Sequence, residues 1–487
     1  MKFFGKERRI NRNLYQKLQE SFKDVSDFCI REITTDHNQF LLGYITGLVD
    51  SKDVSELIIK PILESKKQLS IEDMYSLTYV SNVRITRDFE TISTSLRRGK
   101  SVLFKEHGDE CLILGTPGWK ERDIQEPQAE STIRGSHQGF IENIKTNIGM
   151  FRRYVPDPKL KMIDFHLGER SQTKASLVFI EDIADEDLVK EMMKRLKRIE
   201  IDSIINTGEI QDFIDDKTFT LFPQFLITER PDTTAAAVYQ GRIALFLDHS
   251  PGVLVGPYSF ASFLQSVDDY SIRWLPASFI RFLRYVSFFT SIFLPSIYIA
   301  TISYHYELLP LDLTISIGES RERVPVPPLL EALFMEVVIE ILREAGLRLP
   351  SPISQTVGIV GGIVIGQAAV EAGIVSNIMV IVVALTAISS FILPSQDMSN
   401  GIRLFRFPIM ILAAFYGLIG VVAGLMIVIA HLVSLETLGT PYLNPLAPTR
   451  LKDWKDFVLR LPMGSMKTRP TQTRANDKRR QPSKGGK

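Results

Sequence analysis

Gln367 and Glu371 are the polar side chains at the end of an apolar, glycine-rich stretch, GIVGGIVIGQAAVEAG, which occupies residues 358–373. On a helix with 100° per residue they share one face with Val360 and Val364. Amide and carboxylate oxygens can replace water around a cation, and valines on the same face would narrow a path. The spacing therefore predicts the wall of an ion pathway, lined by Val360, Val364, Gln367 and Glu371.

Glu371 has a second interpretation that the residues leave open. An acid inside a membrane is costly and usually functional, whereas an acid at the end of a span can lie among the lipid headgroups. In that case Glu371 needs no pathway.

The glycines of this stretch predict helix packing. Gly358, Gly362 and Gly366 recur every four residues, which is the small-xxx-small pattern that lets two helices approach closely. A phosphate loop is excluded, because no Lys-Ser or Lys-Thr pair follows the glycines and the flanking residues are apolar.

Signatures of catalysis and of bound cofactors are missing from the chain. It contains no GxxxxGK[ST], HExxH, GxSxG or CxxC motif, and its seven histidines are scattered. The two cysteines, Cys29 and Cys111, have no ligand-like neighbours. We therefore expect a protein that is not an enzyme, with no metal site, no cofactor and no nucleic-acid partner.

A second acidic pattern lies upstream. Glu336, Glu340 and Glu344 are spaced four apart and form one stripe beside an apolar face. Such a stripe is typically the solvated face of a helix, with Glu344 and Arg348 as a favourable pair. In a ring of copies it would instead form an acidic vestibule that concentrates cations.

Four segments are long and apolar enough to cross a bilayer as helices. They are Tyr285–Ser303, Ile353–Val370, Ile374–Leu393 and Pro408–Ala430. Two further segments, Ile243–Leu264 and Pro328–Arg343, are interrupted or short and are typical of interfacial or re-entrant elements.

The first half of the chain is charged and mixed, and short β-rich runs alternate with helical patterns. The expected fold is therefore multi-domain: two small α/β subdomains in a cytoplasmic N-terminal region, followed by an α-helical transmembrane domain. The predicted domains are residues 1–155, residues 156–242, a membrane domain over 243–432 and a basic cytoplasmic tail over 433–487. No internal repeat is visible.

Charge near the membrane predicts the topology. From Arg450 to Lys487 there are twelve Lys or Arg against three acids, which favours a cytoplasmic C-terminus. The N-terminal half lacks a signal-like segment, so it is also expected in the cytoplasm. Four spans place both the N-terminal half and the C-terminus in the cytoplasm, although they place Arg403 and Arg406 on the outer side.

Several long strings in the chain closely resemble one family. They are ERPD (Glu229–Asp232), GRIALFLDHSP (Gly241–Pro251), QSVDDYSIRW (Gln265–Trp274), RERVPVPPLLEALFMEVVIEILREAGLRLP (Arg321–Pro350) and QTVGIVGGIVIGQAAVEAGIVS (Gln355–Ser376). The polar stretch EPQAESTIRGSHQGFIENIKTN (Glu126–Asn147) is similar too. The family is that of the A subunits of bacterial spore germination receptors, the GerA family, which also includes the sporulation protein AF of the stage V group.

The resemblance implies a multi-pass protein of the inner spore membrane. It implies a transporter-like B subunit that binds the germinant and a lipoprotein C subunit as partners. It further implies that the A subunits form a homo-oligomeric ring, a germinant-gated channel for monovalent cations. The alternatives are a non-conducting scaffold for the germinant-binding subunits, the stage V paralogue with a role in dipicolinate handling, and a secondary transporter, which lacks its inverted repeat here.

Overall fold

The computed structural model describes residues 14–35, 38–65, 67–105, 110–116, 118, 137–349, 361–362 and 364–481. The described residues form two compact units. The first comprises residues 14–215, 225–257 and 468–481, and the second comprises 216–224 and 258–467. The units are thus built from interleaved segments, whereas the sequence predicts consecutive domains with boundaries at 155, 242 and 432.

The first unit begins with a five-stranded sheet in the order β1-β2-β4-β5-β3, with every neighbouring pair antiparallel. Its strands are β1 (Phe28–Thr34), β2 (Gln39–Ile45), β3 (Val83–Thr86), β4 (Ser101–Phe104) and β5 (Cys111–Leu114). Its helices are α1 (Leu14–Ser21), α2 (Ser51–Asp53), a π-helical turn (Val54–Ile59), α3 (Lys60–Glu64), α4 (Ile71–Leu77) and α5 (Phe89–Arg97). The central strands β4 and β5 are buried at every residue, because apolar clusters cover both faces of the sheet. They pair with each other as antiparallel neighbours, and residues 106–109 between them lie outside the described residues.

A second five-stranded antiparallel sheet follows in the order β6-β7-β9-β10-β8. Its strands are β6 (Leu160–Leu167), β7 (Thr173–Ile180), β8 (Leu226–Thr228), β9 (Ile243–Leu247) and β10 (Val253–Gly256). Its helices are α6 (Ile144–Tyr154), α7 (Glu186–Leu196), α8 (Thr207–Ile214) and α9 (Pro231–Tyr239). Helix α7 is amphipathic and buries Leu188, Met192 and Leu196 on one face.

The two sheets have the same topology. When the second sheet is renumbered from one, its strand order is identical to that of the first. In both, two strands precede helices, a third strand and a helix follow, and two central strands complete the sheet. The sequence predicts no internal repeat, but the structure contains one in its topology. Two segments can share a topology without matching residues, because topology depends on the order of strands, helices and turns.

Residues 243–256 belong to this second sheet. The sequence assigns them to the membrane domain, since an apolar run of this kind resembles an interrupted membrane segment. They form β9 and β10, which are buried at every residue. A strand covered on both faces loses its alternation of polar and apolar residues, and hydropathy alone then cannot separate it from a membrane segment.

The basic tail after residue 467 is also part of the first unit. Asn476 donates hydrogen bonds from its backbone N to the carbonyl of Ile183 (2.9 Å) and from Nδ2 to that of Ala184 (2.8 Å). Arg469 donates to the carbonyl of Tyr239 at 2.9 Å, and Thr473 is fully buried. Residues 468–481 are therefore a folded part of the α/β unit.

The second unit is helical. Its helices are α10 (Phe260–Phe263), α11 (Asp268–Ser271), α12 (Trp274–Tyr304), α13 (Leu311–Arg321), α14 (Pro328–Arg348), α15 (residues 361–371), α16 (Asn377–Phe391) and α17 (Gln396–Ser434). A two-stranded sheet of β11 (Glu436–Thr437) and β12 (Thr440–Pro441) follows. Within the described ranges, α12 and α17 pass a test of length and composition for crossing a membrane, although α17 is interrupted at Gly417, and α16 is a shorter apolar helix.

Gly417 divides α17 into two antiparallel helices. Its φ of 58° and ψ of −141° are not helical. A Cβ on Gly424 would lie 3.0 Å from Cγ2 of Ile409, and the rings of Phe405 and His431 are 5.9 Å apart, so the two halves run back along each other. The predicted single span Pro408–Ala430 is therefore wrong, because a glycine in this conformation reverses the chain.

We expect Gly417→Ala to destabilise the second unit by about 1–3 kcal/mol or more, because an L side chain is strained at this φ and ψ. The new Cβ would also lie 2.7 Å from Cε1 of His305. Thermal unfolding of the purified chain in detergent measures the effect. Gly439→Ala is the matched control, since Gly439 has φ +70° with open space around its Cβ position. Equal unfolding midpoints for the two variants would contradict a specific role of the Gly417 turn.

A buried ion pair joins the two halves of the first unit. Arg152 of α6 donates from Nε to Asp27 at 2.8 Å, and both side chains are less than one-tenth exposed. Removing one partner of such a pair leaves a buried charge and typically costs about 3–5 kcal/mol.

Arg152→Met should therefore speed hydrogen–deuterium exchange in peptides that cover β1 and α6. Arg170→Met is the control, because Arg170 and Asp202 form an exposed pair at 3.9 Å. Unchanged exchange in Arg152→Met would show that the pair does not hold these elements together.

Candidate functional site

The predicted pathway face of α15 is directed away from the other helices of its own chain. Val364 is 56% exposed, and Gln367 and Glu371 are exposed as well. Nε2 of Gln367 donates a hydrogen bond to Oε1 of Glu371 at 3.0 Å. The fourth predicted residue, Val360, lies outside the described residues. The three that are described form one accessible face with two adjacent polar groups.

The predicted glycine stripe packs at one described position. Gly366 is buried, and a Cβ there would lie 3.7 Å from Cγ1 of Val380 on α16, which is ordinary van der Waals contact. Gly362 is exposed with open space around it, and Gly358 lies outside the described residues. The closest approach is made by Gly361, whose Cβ would lie 2.9 Å from Cδ2 of Leu342 on α14.

The predicted acidic stripe on α14 is matched by arginines. Glu344 and Arg348 form the expected pair at 2.6 Å. Oε2 of Glu340, whose side chain is 51% exposed, lies 3.8 Å from NH1 of Arg403. Glu336 contacts Arg406, as described next. The stripe therefore carries little uncompensated negative charge within one chain.

Glu336 and Arg406 form the core of the helical unit. Their side chains are 4% and 3% exposed, and NH1 of Arg406 donates to Oε2 of Glu336. Nε of Arg406 donates to the carbonyl of Ser291 at 2.7 Å. One guanidinium thus joins α12, α14 and α17.

A second buried carboxylate lies one and a half turns earlier on α14. Glu331 is fully buried; its Oε1 lies 3.0 Å from NH2 of Arg321, and its Oε2 accepts a hydrogen bond from the backbone N of Ser376 at 3.0 Å. Ser376 caps α16 by accepting from the backbone N of Met379. The carboxylate therefore lies at the N-terminus of α16, where the helix dipole favours negative charge.

A third charged cluster fixes the beginning of α12. Arg281 is fully buried and donates to Asp269 at 3.1 Å and to Asp456 at 2.8 Å. Arg284 also donates to Asp269 at 2.8 Å, and the hydroxyl of Tyr270 donates to Asp456 at 2.7 Å. The QSVDDYSIRW motif is thus a charged anchor between α12 and the residues before the tail.

No group of three or more His, Cys, Asp or Glu suited to a metal ion occurs among the residues that the structure describes. Both cysteines are free thiols. Burial raises the pKa of the Cys111 thiol to about 12, and burial and the nearby Asp27 raise that of Cys29, so neither thiol is activated as a nucleophile.

Sequence reasoning identified the exposed face of α15 but missed the buried ion pairs. The sequence signal for these ion pairs is an acid within an apolar helix, together with arginines in other segments of the C-terminal half. Both Glu331 and Glu336 stand in the short apolar segment, and Arg321, Arg403 and Arg406 supply the opposite charge. Only the fold shows which acid meets which base.

We expect Glu336→Gln to lower the stability of the helical unit by about 3–5 kcal/mol, because it leaves the guanidinium of Arg406 buried without its counter-charge. The double variant Glu336→Gln, Arg406→Gln should lose less than the sum of the two single variants. Thermal unfolding in detergent measures all three. Glu340→Gln serves as control, since its pair is longer and half-exposed. Additive losses in the double variant would contradict the pair.

Comparison with known proteins gives one family. The family model described as Bacillus/Clostridium GerA spore germination protein matches residues 16–472. Spore germination protein KA of Bacillus subtilis is 41% identical over 485 residues, which covers 97% of this chain and 89% of that protein. Spore germination protein GerQA of Bacillus cereus is 39% identical over 465 residues, covering 95% of this chain and 93% of its own.

A solved structure also matches the N-terminal half. It is the crystal structure of the N-terminal domain of the A subunit of the Bacillus megaterium spore germinant receptor GerK3, with 28% identity and a TM-score of 0.39. It covers 50% of this chain and 94% of that domain. With a family model that spans nearly the whole chain and relatives near 40% identity over most of their length, this chain belongs to the GerA family of spore germination proteins.

Proposed function

We propose that this chain is the A subunit of a germinant receptor in the inner spore membrane. In this proposal several copies assemble around a pathway for monovalent cations, which opens when a nutrient germinant is sensed. A transporter-like B subunit binds the germinant, and a lipoprotein C subunit completes the receptor. The α/β unit lies in the cytoplasm, and the chain itself performs no enzymatic reaction.

The surface of the helical unit supports a membrane location. The most apolar window of α17 is only 33% buried within the chain. Large side chains such as Phe415 and Ile419 are 69% and 75% exposed. A soluble protein seldom leaves so much contiguous apolar surface in water, whereas lipid tails would cover it without cost.

The observation that carries the pathway is the accessible polar face of α15. In a single chain, Gln367 and Glu371 are exposed beside the apolar helix α16 and the exposed Val364. A carboxylate that faced lipid here would be costly, whereas a water-filled path shared by several copies would hydrate it. A homo-oligomeric ring with α15 on its inside satisfies this requirement.

The buried ion pairs support the proposed pathway, because they exclude two glutamates of α14 from lining it. Glu331 and Glu336 are buried and paired with arginines of the same chain, so they hold helices together. Glu340 is half-exposed and its ion pair with Arg403 is long, at 3.8 Å, so of the two glutamates that contact α17 it is the more accessible to a cation in the proposed vestibule. The pathway therefore rests on Val364, Gln367 and Glu371, with Val360 as the further proposed member.

A flux assay tests the proposal. We expect Val364→Ala to widen the constriction and to increase potassium efflux from liposomes that contain the purified chain. Spores with the same change should release ions without germinant. Val422→Ala is the matched control, because Val422 is a half-exposed valine of the lipid-facing helix α17. It should leave the flux unchanged.

The outcomes separate the alternatives. A wild-type chain that assembles in liposomes but passes no potassium, together with a silent Val364→Ala variant, would favour the non-conducting scaffold. Flux that rises equally in Val364→Ala and Val422→Ala would show general leakiness and would contradict the assigned pathway.

A further inference from the structure

The ends of α14, α16 and α17 carry Arg343, Phe391 and Arg403, and the proposed pathway assigns no role to these three residues. Seven charged side chains meet on α14 and α17. The arginines are Arg343, Arg348, Arg403 and Arg406, and the glutamates are Glu336, Glu340 and Glu344. Asp397, in the first turn of α17, is a fourth acid at this end, so arginines and acids are equal in number. Arg343 nevertheless makes no ion pair among the described residues.

Hydrogen-bond donors at this end are unused. NH1 of Arg343, Nε and NH1 of Arg403 and NH2 of Arg406 are buried and have no hydrogen-bond acceptor in the described chain. The remaining guanidinium nitrogen of Arg403, NH2, donates to Oδ1 of Asn400. The side chain of Arg406 is 3% exposed. A buried guanidinium with free N–H groups is costly, so an acceptor from outside the chain would be stabilising.

The side chains around these donors are apolar and exposed. Phe391, whose ring lies 5.5 Å from Cζ of Arg343, is 63% exposed. Ile341, Ile388 and Leu404 are 62%, 58% and 54% exposed on the same three helices. An arginine near a helix end beside apolar side chains is the usual arrangement at a lipid headgroup boundary.

We propose that Arg343 and Arg403 bind the phosphate of an anionic phospholipid, whose acyl chains lie along the exposed apolar side chains of α14, α16 and α17. Guanidinium groups donate paired hydrogen bonds to phosphate oxygens, and the bound phosphate supplies acceptors for the unpaired donors. Arg406 is already paired with Glu336, so it is not assigned a contact with the phosphate. This inference rests on the proposed membrane location and is independent of ion conduction.

The test uses the full chain in detergent and in vesicles. Phosphatidylglycerol should raise the unfolding midpoint more than phosphatidylcholine with the same acyl chains, and native mass spectrometry should retain phosphatidylglycerol in preference. Arg343→Gln and Arg403→Gln should each weaken phosphatidylglycerol binding about tenfold. Arg343→Lys keeps the charge but not the paired donors, so it should restore only part of the affinity.

Arg348→Gln is the matched control, because it removes a charge from the same helix end at a position that is 78% exposed and already paired with Glu344. It should leave the lipid preference intact. Equal stabilisation by the two lipids, or an equal loss in Arg348→Gln, would overturn the site. Equal stabilisation by inorganic phosphate alone would show an anion site without lipid and would overturn it as well. Arg343 makes no ion pair, so Arg343→Gln should fold even where Arg403→Gln does not.

Vesicle flotation separates this inference from the proposed function. If the membrane location is wrong, the chain floats with neither phosphatidylglycerol nor phosphatidylcholine vesicles. If only the lipid site is wrong, the chain inserts into both and shows no headgroup preference.

Discussion

The helical unit depends on the burial of carboxylates against guanidinium groups. Glu336 and Arg406 are both almost fully buried, and Arg406 also reaches the backbone of α12 through Ser291. Unpaired charges in such surroundings would be prohibitive, so α12, α14 and α17 must keep the register in which these groups meet. A sliding of one helix by a turn would separate them by about 5 Å. Apolar contacts between smooth helical faces impose no comparable restriction.

A second pair applies the same constraint to the neighbouring helices. Glu331 links Arg321, at the end of α13, to the N-terminus of α16. The polar face of α15 that ends at Glu371 is thus positioned by neighbouring helices that Glu331 and Glu336 hold in register through buried ion pairs. Glu331 and Glu336 are enclosed, whereas Gln367 and Glu371 are accessible. An acid in an apolar segment has to be assigned to one of these classes by its burial and not by its sequence context.

How far the sequence predicts this structure differs between the two units. Helical periodicity is visible in α7, and the predicted pathway residues Val364, Gln367 and Glu371 share an exposed face of α15, whereas of the predicted glycine stripe only Gly366 is seen to pack. Hydropathy fails where burial has another cause, as in β9 and β10, which are apolar because they are central strands. It also misses the reversal at Gly417, since one glycine among several in α17 has no special signature until its φ is known. The Glu336–Arg406 pair joins residues 70 positions apart, so it depends on tertiary structure that local patterns do not contain.

The incorporation of residues 468–481 into the α/β unit has a consequence for biosynthesis. This segment follows every helix of the second unit in the chain, yet its Asn476 pairs with the backbone after β7 and its Thr473 is fully buried. A ribosome therefore releases the last part of the α/β unit only after all the apolar helices have been synthesised. Until then the edge around Ile183 and Tyr239 stays uncovered, and the nascent chain must remain soluble in that incomplete form. The first unit can therefore be completed only after residues 258–467 of the second unit have been synthesised.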